Sequence, residues 1–475
     1  MTMPKPQSMP QSKPRPTAAP APVPAPPAGP PLRVVRGPRG LPPLGNLLDF
    51  GRDPLDFLTR LRDGFGDAVT WSLGPRHGVF LSHPRHIAEV LAAREDTYEL
   101  LDIGWMFRQL VGRSVILSKG DDWRRKRALV QPVVRPRQVR SYAAGMAECA
   151  AAAADGWRDG ERIDLRAELA LITQRIVLRS LFGSDLGSRA RALGRAMDVA
   201  ERAVGAEFRG ASLFLPAWAR TPARRRMLAA VGAIDAEVHR LIGERAGRAQ
   251  PPGEDTDLLG RLLAARDAEG QPLTPVEVRD EAVTLWAAGH DTTSTALTWA
   301  LYLLAGAPGA RARLEAELDE VLGGRAVTVD DYDRLVWTRQ VVKEALRLYP
   351  PVWLMPAVAR AGAALDGRAV RPGTIVWCSQ WTVHRDPRWF PEPDRFRPER
   401  WSPEAPAAPD HAWFPFGGGP RACLGARFAQ VEAVLVLATL AQRCRLDLPA
   451  GPVAPRVGLL LQPSVPLTAT VHRRR

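Results

Sequence analysis

Phe416-Gly417-Gly418-Gly419-Pro420-Arg421-Ala422-Cys423-Leu424-Gly425 is a glycine loop that delivers one cysteine to the start of an apolar helix, expected over Leu424 to Leu440. Glycines let the backbone approach a flat ligand more closely than residues with side chains allow. A cysteine at a helix N-terminus, beside backbone N–H groups and an arginine, is favoured as thiolate, because the positive end of the helix stabilises the anion. A thiolate so placed is a soft metal ligand. A glycine cluster can also cradle phosphate, but here no Lys-Ser/Thr follows and no βαβ unit precedes it. Cys149, Cys378 and Cys444 lack this setting and read as buried core thiols.

Three other segments carry polar groups whose residue pattern alone leaves a choice. Glu344 and Arg347, in Lys-Glu-Ala-Leu-Arg-Leu-Tyr-Pro-Pro, share a helix face and form either a solvated ion pair of little worth or part of a buried network. The run Trp286 to Thr295, Trp-Ala-Ala-Gly-His-Asp-Thr-Thr-Ser-Thr, sets a carboxylate and hydroxyls in an apolar helix. Local side-chain-to-backbone bonds at a kink are one reason for such groups, and chemistry is the other. His290 in that run reads as a packing or hydrogen-bonding residue rather than a ligand. Trp123 and Arg127, four apart in Trp-Arg-Arg-Lys-Arg, project from one helix face, which taken alone is a solvated basic face.

The glycine loop resembles the haem-binding loop of the cytochrome P-450 superfamily, Phe-x-x-Gly-x-Arg-x-Cys-x-Gly, matched by Phe416, Gly419, Arg421, Cys423 and Gly425. That resemblance implies haem b (iron protoporphyrin IX) with Cys423 as the proximal thiolate on iron, Phe416 shielding the sulfur and Gly425 giving clearance over the porphyrin. Thiolate ligation pushes electron density onto iron and favours O–O cleavage. The other segments then resemble the family's further motifs, in the family's order. Glu344, Arg347 and Arg400, the last in Pro398-Glu399-Arg400, match a buried structural network. Ala288, Gly289, Asp291, Thr292 and Thr293 match the oxygen-binding motif, in which Thr292 positions the oxygen being reduced and an ordered water while Asp291 relays protons. Trp123, Arg127 and Arg421 match haem-propionate partners, and Arg360 is a further candidate. Substrate contacts are expected from the loop around Trp105, Met106 and Phe107, from Ala288, and from the connector Leu213 to Trp218.

Composition agrees with a large folded enzyme: 475 residues, 45% hydrophobic and 24% charged. Four cysteines without a Cys-x-x-Cys pair exclude a disulfide framework and a zinc ribbon and fit a cytoplasmic compartment. No window suggests a transmembrane segment. Twelve prolines in the first 32 residues mark a Pro/Ala-rich disordered tail, placed at 1–36, ahead of one catalytic domain at 37–475. The fold class expected is mainly α with small β-sheets (α+β), a single helix-rich fold enclosing a haem. Strands are expected at Ala68 to Leu73, Gly78 to Leu81, Gly373 to Trp381 and Leu467 to Val471, with almost continuous helix from Asp121 to Leu348.

The net charge of +14 is dispersed and matches no nucleic-acid-binding fold, but it favours acidic partners. Only 52 residues follow Cys423, too few for a reductase domain, so electrons are expected from a ferredoxin or flavodoxin with its reductase, docking near Arg124, Arg125 and Lys126. The function implied is a haem-thiolate monooxygenase that uses dioxygen to hydroxylate or epoxidise an apolar small molecule, terpenoid, fatty acid or polyketide-like. A peroxide-using or rearranging haem-thiolate enzyme and a non-catalytic haem sensor are the alternatives, and retention of Asp291 and Thr292 argues against both.

Overall fold

The computed structural model describes residues 32–474, apart from 94, 102–103, 184–187, 210–214, 247–256 and 450. The proline-rich segment before Leu32, and Leu213 and Phe214 of the connector, lie outside the described residues. The chain runs through β1 (Val34–Arg36), α1 (Leu47–Arg52) and α2 (Pro54–Phe65) into the hairpin of β2 (Ala68–Leu73) and β3 (Arg76–Leu81). Next come α3 (Pro84–Ala92), β4 (Tyr98–Leu100), α4 (Trp105–Val111) and α5 (Gly120–Val130). A helical body follows: α6 (Pro136–Gly156), the short β5 (Arg162–Asp164), α7 (Leu165–Phe182), α8 (Ser188–Arg209), α9 (Pro222–Ala246), α10 (Leu258–Ala264), α11 (Pro275–Ala305), α12 (Pro308–Leu322) and α13 (Val336–Leu348). The last part holds β6 (Met355–Ala359), β7 (Ala364–Leu365), β8 (Arg368–Ala369), β9 (Ile375–Cys378), α14 (Gln380–Val383), α15 (Ala426–Arg443), β10 (Cys444–Asp447), β11 (Pro455–Val457), β12 (Leu461–Pro463) and β13 (Thr468–Arg473).

Helix α11 is the axis of the body. Its start is fixed by a capping box, in which Thr274 accepts from the Glu277 N–H while Glu277 accepts from the Thr274 N–H, with Pro275 at the first helical position. Its 31 residues are mostly buried, because α7, α9, α13, α15 and α4 pack around it. A helix apolar on all sides belongs in the interior, so the polar run at 290–295 is carried into the core. Helix α15 packs along α6 and reaches α11 and α13, which sets the cysteine loop ahead of it against the same core.

The main sheet has the strand order β1-β2-β3-β9-β6-β4. Its three-residue edge strand β1 pairs in parallel with β2, Val34 opposite Ala68, and Leu32 is buried with its N–H on Asp366 Oδ2 at 2.7 Å. Leu32 to Arg36 therefore belong to the folded body, although they fall within the stretch expected to be tail. Two valines between prolines and a glycine are too short a pattern to announce a strand.

The mainly α, small-sheet class holds, and the departures from expectation are short strands. Strand β5 interrupts the helical body, and β4 and β6 join the main sheet although β6 contains Pro356. Strand β4 pairs only with Ala357 to Ala359, so the proline lies beyond that ladder. The strand expected over Gly373 to Trp381 ends at Cys378, where the Ser379 side chain accepts from the Thr382 N–H and starts α14. Among the described residues no helix is long and apolar enough to cross a membrane.

Candidate functional site

The loop ahead of α15 is folded by its own backbone. Gly417 N–H donates to Phe414 O at 3.0 Å, Ala422 N–H to Gly419 O at 3.1 Å and Cys423 N–H to Phe416 O at 2.9 Å. Gly419 has φ +64°, and a Cβ there would stand 2.0 Å from the Leu91 carbonyl oxygen, so glycine alone fits between this loop and α3. The helix begins at Ala426 with Gly425 as its N-cap, two residues later than expected, and Cys423 stands ahead of it. Burial pushes the Cys423 thiol up, against the Gly425 N–H that bonds it and the nearby Arg127 cation. The helix end thus does not make the thiolate by itself. A coordinated metal cation would do so, because such a cation deprotonates a bound thiol outright.

Cys423 keeps accessible surface although protein atoms enclose it, so it faces an internal space rather than bulk solvent. The middle of α11 behaves alike: Ala288 is exposed and Leu285, Gly289 and Thr292 are half-buried, while most residues around them are buried. Positions 285, 288, 289 and 292 lie on one helical face. A Cβ on Gly425 would meet no atom within 4 Å. A soft donor facing an interior space, clearance at Gly425 and cations beside the loop are what a haem requires, and the residues present fit one.

Trp123, Arg127 and Arg421 come together. Arg127 Nη1 donates to the Ala422 carbonyl at 2.9 Å, which ties α5 to the cysteine loop. The Arg421 guanidinium lies over the Trp123 ring, 4.5 Å from its centroid, pairs with Glu95 and donates from Nη1 to Val115 O at 3.2 Å. Glu95 was not legible as a site residue. It adopts φ +100°, a strained value for a residue with a side chain, and the Glu95 N–H donates to Tyr98 O at 3.0 Å.

Arg360 does not join them. It is exposed at the end of β6, so it is withdrawn as a cofactor residue. The basic triplet is corrected as well. Lys126 is buried, with Nζ on Arg113 O at 2.5 Å and Asp122 at 3.0 Å, Arg125 pairs with Glu277, and Arg124 pairs with Asp121 at 2.6 Å. Arg125 and Lys126 are thus paired within the fold by acids on α5 and α11, whereas Arg124 stays exposed and its pair with Asp121 lies at the surface.

The Glu344–Arg347–Arg400 network forms, with Glu344 and Arg347 fully buried and Arg400 partly so. Arg347 grips Glu344 through two parallel bonds of 2.9 Å, and Arg400 Nε reaches Glu344 Oε1 at 2.9 Å. Trp401 Nε1 and the Arg397 N–H complete the carboxylate, while Arg347 also donates to the His384, Pro393 and Arg395 carbonyls. Trp401 was missed, although it directly follows Pro398-Glu399-Arg400. The network knits α13 to the irregular segment before the cysteine loop.

Thr292 Oγ1 donates to the Ala288 carbonyl at 2.6 Å, so the local backbone bond is real and coexists with a hydroxyl oxygen on the accessible face of α11. Asp291 is buried between Arg166 Nη2 at 3.0 Å and Gln462 Nε2 at 2.8 Å. Of the expected pocket residues, Met106 and Phe107 lie in the main core, and Trp105 packs against it with the Arg224 guanidinium 4.7 Å from its ring centroid. Arg224 pairs at 3.0 Å with buried Glu207, which also accepts from the Met106 N–H at 2.7 Å and so joins α4 to α8 and α9. Neither charged residue announced itself in the sequence.

Comparison with known proteins agrees with this geometry. The chain is 36% identical over 441 residues to cyclooctatin synthase of Streptomyces melanosporofaciens, covering 91% of this chain and 93% of that one. It is 34% identical over 420 residues to cyclooctat-9-en-7-ol 5-monooxygenase of the same organism, covering 86% and 88%. The family model described as Cytochrome P450 matches residues 35–471, nearly the whole described structure, and the chain belongs to the cytochrome P450 family.

Proposed function

We propose that this monooxygenase holds haem b through Cys423, receives electrons from a separate acidic donor, a ferredoxin or flavodoxin kept reduced by its reductase, and oxygenates a cyclic terpenoid-like substrate. The observation that carries the reading is the accessible stripe of Leu285, Ala288 and Thr292 in the middle of a mostly buried helix that packs against α15, the helix directly after the enclosed but accessible Cys423. The relatives support the substrate class, since the name of one specifies oxidation at carbon 5 of a cyclic unsaturated alcohol.

When bound, the haem supplies the activation of dioxygen. The chain's own residues supply position and protons. Trp123, Arg127 and Arg421 gather cationic and N–H groups beside the cysteine loop, suited to propionates. Thr292, whose own proton goes to the Ala288 carbonyl, turns an acceptor oxygen to the interior and orients the group to be protonated. Asp291, held by Arg166 and Gln462, carries the proton to that place. Leu285 and Ala288 offer an apolar, small-residue surface to a bulky hydrocarbon.

The test is turnover of the reconstituted holoenzyme with a ferredoxin, its reductase and 18O-labelled dioxygen, on cyclic terpene alkenes and alkenols, long-chain fatty acids and macrolactones. One labelled oxygen in a terpenoid is the expected result. Label confined to fatty acid or lactone overturns the substrate class.

A further inference from the structure

His290 directly precedes Asp291 and is buried, 2% exposed. Thr173 Oγ1 donates to its carbonyl at 2.9 Å and fixes the backbone there. Its Nδ1 has no hydrogen-bond partner and faces Glu201 Oε1 of α8 at 3.9 Å. An unpaired buried nitrogen opposite a carboxylate is a costly arrangement that packing does not require, since an apolar pair of similar volume would fill the same space.

The charges around this contact form a graded series. The Asp198 side chain on α8 is 42% exposed, the Glu201 side chain one turn further is 14% exposed, and that of His290 is 2% exposed. Asp291 follows on α11, and the cation facing it from α7 is Arg166. From the C-terminal hairpin the neutral Gln462 completes the surround. Titratable groups thus run inward from the half-exposed α8 side to buried His290, which feels the charge of its sequence neighbour Asp291.

We propose that Glu201 and His290 are a proton-loading pair, which takes a proton from solvent on the α8 face and passes it to Asp291. The Glu201 carboxyl releases its proton to His290 Nδ1, the imidazolium yields a proton to an Asp291 carboxylate oxygen, and Glu201 is reloaded from water on the Asp198 side. One proton moves inward per cycle, no electron moves, and only O–H and N–H bonds are exchanged. Proton affinities suit the task. Burial pushes the Glu201 carboxyl up to about 7, with His290 opposing and Asp291 adding to the rise. Burial works to lower the His290 imidazole, but Glu201, Asp291 and Asp198 outweigh it and hold it above its ordinary value. Glu201 therefore exchanges its proton near neutral pH, and His290 holds its proton more firmly than an ordinary imidazole, which favours transfer from the acid to the ring.

The proposal rests on Asp291 as the acid that delivers protons, and the experiments separate the two. In the ferrous carbon-monoxide form, NMR titration of the histidine ring signals, assigned with His290→Gln, is expected to show a His290 midpoint above 6.5 that falls in Glu201→Gln. A His290 midpoint indifferent to Glu201→Gln overturns the pair. In turnover, Glu201→Gln and His290→Gln are each expected to slow oxygen consumption about five- to tenfold, raise the solvent isotope effect and displace the pH profile. KM and product per oxygen should stay as they were. Lowered Tm with an unchanged pH profile and isotope effect makes the pair a clamp between α8 and α11 and overturns the relay. If Asp291→Asn leaves oxygen consumption unchanged while both pair variants slow it, Asp291 is not the recipient, and delivery to it is overturned although the pair stands.

Discussion

Thr292 Oγ1 stands 2.6 Å from the carbonyl oxygen of Ala288, one helical turn earlier on α11, and donates its proton there. The bond spends the hydroxyl hydrogen on the backbone and leaves the oxygen as an acceptor on the accessible face. Positioning of this kind steers a proton without requiring Thr292 to ionise. Thr292→Ala should keep consuming reductant and oxygen but release mostly hydrogen peroxide, with product per electron falling about tenfold or more. Thr292→Ser, which keeps the hydroxyl, should stay largely coupled. Peroxide yield against product yield checks both, and full coupling in Thr292→Ala would move the role to Thr293 or to a hydroxyl of the substrate.

The parts legible in the sequence were those in which a local pattern and its partner are each short and distinctive. Cys423 with its glycines, Glu344 with Arg347, and Asp291 with Thr292 are of this kind. What escaped was set by contacts distant in sequence. Glu95 meets Arg421 across 326 positions, and Trp401 meets Glu344 across 57. Arg125 and Lys126 of the basic triplet misled because a run of cations reveals nothing of acids such as Glu277, 152 positions from Arg125 on another helix. Strands of three residues, like β1 and β4, exist only through the neighbours that pair with them.

Among the described residues Glu344 is the acid that pairs with fully buried Arg347 and with partly buried Arg400. Glu344→Gln keeps the shape but leaves the buried Arg347 cation uncompensated. Removing one partner of a buried pair costs about 3–5 kcal/mol. The variant should lose haem content and melt well below the parent, which thermal unfolding and pyridine-haemochrome assay will show. Undiminished stability would mean that the carbonyls of His384, Pro393 and Arg395 suffice for Arg347.

Glu432 on α15 is buried with no hydrogen-bond partner for either oxygen. Burial pushes its carboxyl up to about 8, and the Thr293 hydroxyl, near but outside hydrogen-bond geometry, opposes that only in part. The folded pKa lies above the unfolded one, so the folded state binds the extra proton between the two values. Stability from this group is complete below the unfolded carboxylate pKa, declines as pH rises and is gone above about 8. A tenfold difference in proton affinity between the folded and unfolded chain is worth about 1.4 kcal/mol. Glu432→Gln, which cannot ionise, should therefore gain Tm over the parent from about pH 6 to about pH 9. Parallel Tm curves for the two proteins across that range would refute the buried, neutral acid.

The start of the chain separates two deletions. Leu32 is anchored by its N–H on Asp366 at 2.7 Å, and Val34 to Arg36 pair with β2. Removing residues 2–30 should leave Tm, haem content and turnover close to the parent. Removing 2–36 strips an edge strand and exposes β2, and should lower Tm by several degrees. Similar behaviour of the two would place the functional boundary elsewhere.

Docking of an acidic donor depends on exposed cations, and the structure withdraws Arg125 and Lys126 from that role by pairing and burial. The exposed Arg135 stands at the start of α6. Tyr142 of that helix lies 6.3 Å, centroid to centroid, from Phe428 of α15, which brings this end of α6 close to the helix that follows Cys423. Encounter between opposite charges is accelerated by their field and weakened by salt. Arg135→Glu should slow reduction by an acidic donor about threefold or more at low ionic strength. The deficit should shrink as salt is raised, and peroxide-supported turnover, which needs no donor, should be unchanged. Lys126→Glu should instead lower Tm and haem content, because it sets a carboxylate beside Asp122 in a buried site that holds a cation. A salt-independent loss in the α6 variant, or one shared by the peroxide assay, would place the docking face away from α6.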